Sequence, residues 1–150
     1  MKKIIYIDMD GVLVDFESGI NKLSVEIKQE YAGRYDEVEG IFALMEPMQD
    51  AIEALHKLAE KYELYILSTA PWDNLSAPTD KLKWIKKYFG SGPESLFYKR
   101  VILSHHKDLN CGDYLIDDRL KNGAEKFTGE HIHFASESFP DWQAVLDYLL

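Results

Sequence analysis

Apolar and polar positions along this chain switch between two periods. Ile4 to Ile7 is an unbroken run of β-branched and aromatic side chains, the pattern of a strand buried on both faces. It leads straight into Asp8-Met9-Asp10-Gly11-Val12. From Asp15 to Tyr31 the pattern changes, with Phe16, Ile20, Leu23, Ile27 and Tyr31 recurring every three or four residues. That spacing predicts one helix, ended by Gly33. Arg34 to Glu46 is short and mixed, with Gly40 in its middle. Pro47 to Tyr62 carries Met48, Ala51, Ile52, Leu55, Leu58 and Ala59 on one stripe and predicts a helix with Pro47 in its first turn.

Glu63 to Ser68 reads as the second strand, ending in the polar turn Ser68-Thr69-Ala70-Pro71. Trp72 to Pro78 reads as loop. Thr79 to Phe89 predicts a helix with Leu82, Ile85 and Phe89 inward and Gly90 as its stop. Three short strands follow, at Tyr98 to Leu103, Tyr114 to Ile116 and His131 to Phe134, and Pro140 to Leu150 closes the chain as a helix. Strands that alternate with helices imply an α/β fold: βαβ units, a parallel five-stranded sheet, helices on both faces and right-handed crossovers. Residues 17–46 form a small helical insert after the first strand, and residues 1–16 and 47–150 form the core.

Size and charge narrow the picture. The 150 residues suit one domain, and 46% hydrophobic content suffices for one core. A formal net charge of −9 opposes binding to a nucleic acid polymer or an anionic membrane, but not to a small phosphorylated substrate. No apolar run approaches the ~18–20 residues that span a bilayer. The N-terminus enters a strand that ends in acidic residues, which is not the pattern of a signal peptide. The single cysteine, Cys111, excludes an internal disulfide. A cytoplasmic protein is the expectation.

Three strands end in chemistry: Asp8 and Asp10, then Ser68 and Thr69, then Asp117 and Asp118. In an open parallel sheet these ends share one rim. Two carboxylates as close as Asp8 and Asp10 repel, so ionising both needs a hydrogen-bond cage or a cation, for which a hard divalent ion is suited. Lys107 precedes the fourth strand. Carboxylates, hydroxyls, a metal and a lysine are the parts of phosphoryl transfer, whose catalysis is mostly positioning and charge neutralisation.

Asp8-Met9-Asp10-Gly11-Val12, Ser68-Thr69, Lys107 and Asp117-Asp118 resemble, in order, the four motifs of the haloacid-dehalogenase-like (HAD) phosphatases. A narrower resemblance is to the 5′(3′)-deoxyribonucleotidases. It rests on the stretch from Asp8 to Glu17, on Leu115-Ile116-Asp117-Asp118-Arg119, and on Lys81, Trp84 and Lys87-Tyr88-Phe89-Gly90. The resemblance implies a Rossmann-like HAD core and a Mg²⁺-dependent phosphatase. In it Asp8 is the nucleophile and Asp10 the acid and base, while Asp8, the Asp10 backbone carbonyl and Asp117 hold Mg²⁺ and Asp118 orients the metal shell. Ser68, Thr69, Lys81 and Lys107 serve phosphate, and Phe16 lies against a nucleobase.

By the same resemblance the insert is a cap, shorter than in vertebrate-type relatives. A short cap is compatible with an open site for varied phosphomonoesters, or with a homodimer whose second subunit completes it. Deoxyribonucleoside monophosphates, sugar phosphates and a phospho-acceptor regulatory role stay open. His105-His106 reads as a surface pair, Cys111 as buried or neutral, and Trp72, Trp84 and Trp142 as packing, with Trp72 near enough to Thr69 to overhang the site.

Overall fold

The computed structural model describes all 150 residues. In chain order the first strand, β1 (Ile4–Ile7), is followed by β2 (Val14–Asp15), α1 (Phe16–Ile20), α2 (Val25–Glu30), α3 (Ile41–Leu44) and β3 (Glu46–Pro47). The remainder is α4 (Ala51–Ala59), β4 (Glu63–Ser68), α5 (Ala77–Phe89), β5 (Val101–Leu103), β6 (Tyr114–Asp117), β7 (Glu130–His133) and α6 (Trp142–Leu149). Five strands form one parallel sheet in the order β5-β4-β1-β6-β7. β1 is central because it is apolar on both faces: Ile5 and Ile7 are fully buried on one side and Tyr6 is nearly so on the other.

Helical elements cover the two faces unequally. The face of Ile5, Ile7, Leu64, Ile66 and Ile116 packs on Leu55 and Leu58 of α4, Trp84 and Ile85 of α5, and Trp142 and Leu146 of α6. The opposite face, with Tyr6, Leu67 and Leu115, is covered by a 3₁₀ turn at Ala124–Lys126 and by Phe127. No helix is long and apolar enough to cross a membrane.

Local chemistry redraws several predicted elements. The single helix over 15–31 is two, because the Ser24 side chain accepts from Ile27 N–H at 3.2 Å and starts a new helix there. Asp15 caps α1 in the same way through Ser18 N–H. Pro47 is not in a helical turn: it pairs with Val14 in the small antiparallel ribbon β2-β3, and α4 starts at Ala51. That ribbon closes the insert at its base, since Asp15 and Glu46 face each other across it. In α5 the buried stripe is Ala77, Lys81, Trp84 and Ile85, so Leu82 points to solvent. Cys111 is exposed rather than buried.

Candidate active site

The strand order sets β1 between β4 and β6, so their carboxyl ends meet at one rim. Asp8 leaves β1 with its N–H still bonded to the Ile116 carbonyl at 2.9 Å. The Met9 carbonyl then accepts from Val12, Leu13 and Val14 N–H, closing a tight turn with Gly11 at φ +79°. A Cβ at Gly11 would lie 2.2 Å from Asp118 Oδ2, so both the backbone angle and the close approach demand glycine. Trp142 of α6 fixes the far side, its Nε1 donating to the Val12 carbonyl at 2.9 Å. Met9 is thereby buried while Asp8 and Asp10 reach the rim.

Two lysines divide the two carboxylates. Lys107 Nζ donates to Asp8 Oδ1 at 3.1 Å and to Asp117 Oδ2 at 2.5 Å. Lys81 Nζ donates to Asp10 Oδ2 at 2.9 Å and to Ser68 Oγ at 2.7 Å, and lies 4.6 Å from the Phe42 ring centre. Lys81 has no exposed surface, and Lys107 retains 3%. Burying ammonium groups this deeply is tolerable only because each is ion-paired and hydrogen-bonded.

Asp8, Asp117 and Asp118 each bring a carboxylate oxygen within 4.8 Å of the other two. Burial pushes the Asp8 carboxyl up despite Lys107, and it pushes Asp10 up despite Lys81. Burial, with Asp8 and Asp117 nearby, raises Asp118 to about 7. Burial opposes the charge on Lys107, but Asp8 and Asp117 outweigh it and hold the ammonium above its ordinary range. Asp118 Oδ1 and Asp10 Oδ1 are buried with no hydrogen-bond partner. Ionised together, the three clustered carboxylates face one ammonium, and the residual double negative charge matches a divalent cation. All-oxygen donors suit a hard ion. The residues present therefore fit a divalent metal.

A cleft of about 740 Å³ opens above them. Asp8, Asp10, Thr69, Lys107, Asp117 and Asp118 line its depth. Phe16, Tyr35 and Asp36 line the insert side, while Trp72, His105, Arg119, Lys121 and Asn122 line the core side. Phe16 meets Phe42 edge-on at 5.9 Å, and Trp72, 83% exposed, meets His105 likewise at 5.9 Å. A similarly large hollow at the opposite end of the sheet, around Lys2, Lys3, Tyr62 and Tyr114, has no carboxylate side chain in its lining.

The sequence-predicted residues thus converge, with two distinctions. Ser68 and Lys81 lie beneath the cleft and do not line it, whereas Thr69 does, its Oγ1 donating to the Ser104 carbonyl at 2.7 Å. Asp118 sits in the carboxylate cluster itself. Sequence reasoning missed Asn74, which is 3% exposed: its Nδ2 donates to the Asp36 and Val38 carbonyls of the insert at 2.9 and 3.0 Å. Ser76 adds a bond from Gly40 N–H at 2.9 Å. The loop placement of Asn74 carried no periodic signal. Lys81 did carry one, since it stands three and four residues before Trp84 and Ile85 on one helix face.

The fold, with this acidic rim, matches solved structures of HAD-like hydrolases. Among solved structures, a HAD-hydrolase of Bacillus subtilis, provisionally so described and bound to magnesium, aligns over 99% of this chain and 98% of its own with a TM-score of 0.65 at 12% identity. The L-2-haloacid dehalogenase of Xanthobacter autotrophicus aligns over 99% of this chain and 88% of its own with a TM-score of 0.58 at 15% identity. These likenesses establish the fold alone.

The family described as 5′ nucleotidase, deoxy (pyrimidine), cytosolic type C protein matches residues 22–141. A protein of Vibrio phage KVP40, provisionally named a 5′(3′)-deoxyribonucleotidase, is 59% identical over 148 residues, 99% of this chain and 85% of that one. The 5′(3′)-deoxyribonucleotidase of Bacillus subtilis strain 168 is 32% identical, covering 89% of this chain and 86% of its own. The human mitochondrial 5′(3′)-deoxyribonucleotidase is 28% identical, covering 95% and 82%. The chain belongs to the 5′(3′)-deoxyribonucleotidase family.

Proposed function

We propose that this chain is a Mg²⁺-dependent phosphatase that hydrolyses deoxyribonucleoside monophosphates. One observation carries the reading: Asp8 and Asp10 face a single cleft, yet each is held by its own buried lysine. Two carboxylates in separate environments suit two roles. The nucleotide preference rests on the family membership and on the aromatic residues that flank the cleft.

Lys107 holds the Asp8 carboxylate toward the cleft, where its oxygen attacks phosphorus and forms an aspartyl-phosphate. The P–O bond to the nucleoside breaks, and Asp10 gives its proton to the departing oxygen. The raised affinity of Asp10 for a proton suits that task. Asp10 then takes a proton from water as the water attacks the aspartyl-phosphate, releasing phosphate and restoring Asp8. Lys81 positions Asp10 and Ser68 from below, while Thr69 and turn N–H groups receive phosphate oxygens. The carboxylates of Asp8, Asp117 and Asp118, with the Asp10 backbone carbonyl, would hold Mg²⁺. When bound it neutralises Asp8 against the incoming phosphate.

Residues 17–46 act as a cap over this cleft, with Phe16 at its hinge. A nucleobase between Phe16 and Trp72 would gain ~1–3 kcal/mol by stacking. We place the activity in the cytoplasm, in keeping with the lone unpaired cysteine. The test is phosphate release from dUMP, dTMP and sugar phosphates, with Mg²⁺ and with a chelator. Multiple turnovers on the nucleotides, abolished by the chelator and by Asp8→Asn, are expected. Faster release from the sugar phosphates would move the substrate class, and an Asp8→Asn protein with full activity would remove the mechanism.

A further inference from the structure

The acidic turn after β6 has a support that the site chemistry does not use. Beyond Asp117 the pairing of β6 with β7 ends: Asp117 lies opposite His133, and Phe134 N–H donates to the Asp117 carbonyl at 3.0 Å. No backbone N–H reaches the Asp118 carbonyl. Two histidine side chains take over. His131 Nε2 lies 3.0 Å from the Asp117 carbonyl, and His133 Nε2 lies 3.0 Å from the Asp118 carbonyl. The rings stack at 5.5 Å with 25° between their planes.

Their placement follows from strand alternation. Ile132 points into the core, so His131 and His133 stand on the opposite face, the one no long helix covers. β7 is also an edge strand. The rings therefore have room to lie along the sheet and reach two consecutive carbonyls. A carbonyl only accepts, so each ring presents Nε2–H to it. The need for the support is electrostatic. Asp117 and Asp118 bring their carboxylates within 4.8 Å of each other and of Asp8, and like charges so placed push the turn open.

We propose that His131 and His133 are positioning residues, a pair of side-chain rungs that continue the β6-β7 ladder and hold the Asp117-Asp118 turn in the geometry that receives a divalent cation. The inference rests on the metal reading of the Asp8, Asp117 and Asp118 cluster. Neither histidine lines the cleft or belongs to the carboxylate cluster. Partners of this outer kind change metal affinity by about 10–100-fold when removed.

The experiment titrates Mg²⁺ alone into the full chain and reads binding by calorimetry and by the Mg²⁺-dependent rise in Tm. The proteins are wild type, His131→Ala, His133→Ala, the double variant and His133→Gln. Each alanine variant is expected to bind Mg²⁺ about tenfold more weakly and the double variant about 100-fold more weakly. His133→Gln keeps an N–H donor and is expected to recover most of the loss. The metal-free Tm, read on the same samples, separates positioning from general packing. A lower metal-free Tm with Mg²⁺ affinity within twofold of wild type overturns the inference, as does a His133→Gln protein no better than His133→Ala. A wild type that binds no Mg²⁺ overturns the metal reading and this inference with it.

Discussion

At the rim, the partners of the two leading carboxylates come from far along the chain: Lys107 is 99 residues from Asp8, and Lys81 is 71 residues from Asp10. In the insert, several bonds close locally. Asp15 caps Ser18 N–H, Ser24 caps Ile27 N–H and Arg34 pairs with Glu37, each over three residues. The rim is built from buried ions held by the folded core, so its geometry is fixed only once the sheet and α5 are assembled. The insert is built from short capped helices that are marginal on their own. It is tied to the core by the β2-β3 ribbon, by Asn74 with Ser76, by Trp84 Nε1 donating to the Met45 carbonyl at 2.9 Å, and by Val38, Ile41, Phe42 and Met45, which are buried in the main core. The rim chemistry thus rests on groups drawn from the sheet and α5, while the insert combines local caps with an apolar anchor in the core.

The comparison breaks most sharply at Lys81. Lys81→Met strands Asp10 and Ser68 without a donor, and removing one partner of a buried pair costs about 3–5 kcal/mol. A urea midpoint shifted by that amount, with loss of turnover, is expected. Wild-type stability with lost activity would show that Lys81 serves substrate instead.

Asn74→Ala tests the insert side. It removes two bonds that cross from loop to insert and leaves the Asp36 carbonyl unpaired, while the Val38 carbonyl keeps its bond from Ile41 N–H, a cost of about 2 kcal/mol. Amide exchange over residues 36–40 should quicken while exchange in β1 stays slow, and KM should rise more than kcat falls. Uniform quickening in both regions would show that the two parts unfold together.

A smaller effect belongs to Trp72. Trp72→Ala should raise KM for dUMP about tenfold, the loss of one stacking contact, and leave 2-deoxyribose 5-phosphate unchanged. An equal rise on both substrates would assign Trp72 to packing around His105.

The smallest expected effect is on metal-free stability against pH. Asp118 has a pKa of about 7 in the fold, above its ordinary 3.8, with Asp8 and Asp10 also raised. The folded chain therefore holds more protons than the unfolded chain between those values. By linkage, stability then falls as pH rises through that window. Metal-free Tm should drop by about 3 °C from pH 5 to pH 8, and Mg²⁺ at pH 8 should recover it. A metal-free Tm that climbs over this range would show that Lys107 already satisfies the cluster.

Much of the fold was legible beforehand because it follows from local rules. Apolar runs give the central strands, helical stripes give α4, α5 and α6, and the spacing of Asp8-Met9-Asp10-Gly11 at a strand end gives the site its first two residues. Prediction failed where a side chain competes with the backbone or where only neighbours decide. Ser24 breaks a helix that periodicity makes continuous, and Pro47 fits a helix start as well as the ribbon that claims it. Leu82 belongs to an apolar stripe only if Lys81 does not, and it is Lys81 that is buried.

By itself the sequence determined the alternation of strands and helices, the rim on which the carboxylates fall, and the class of chemistry those residue types serve, because periodicity and strand-end position act over a few residues. Tertiary structure alone decided which of four lysines on α5 turns inward, which lysine each aspartate receives, and that a loop asparagine fastens the insert. Those choices depend on groups up to about 100 residues apart meeting in one desolvated place, where an unpaired charge costs several kcal/mol and a paired one is held.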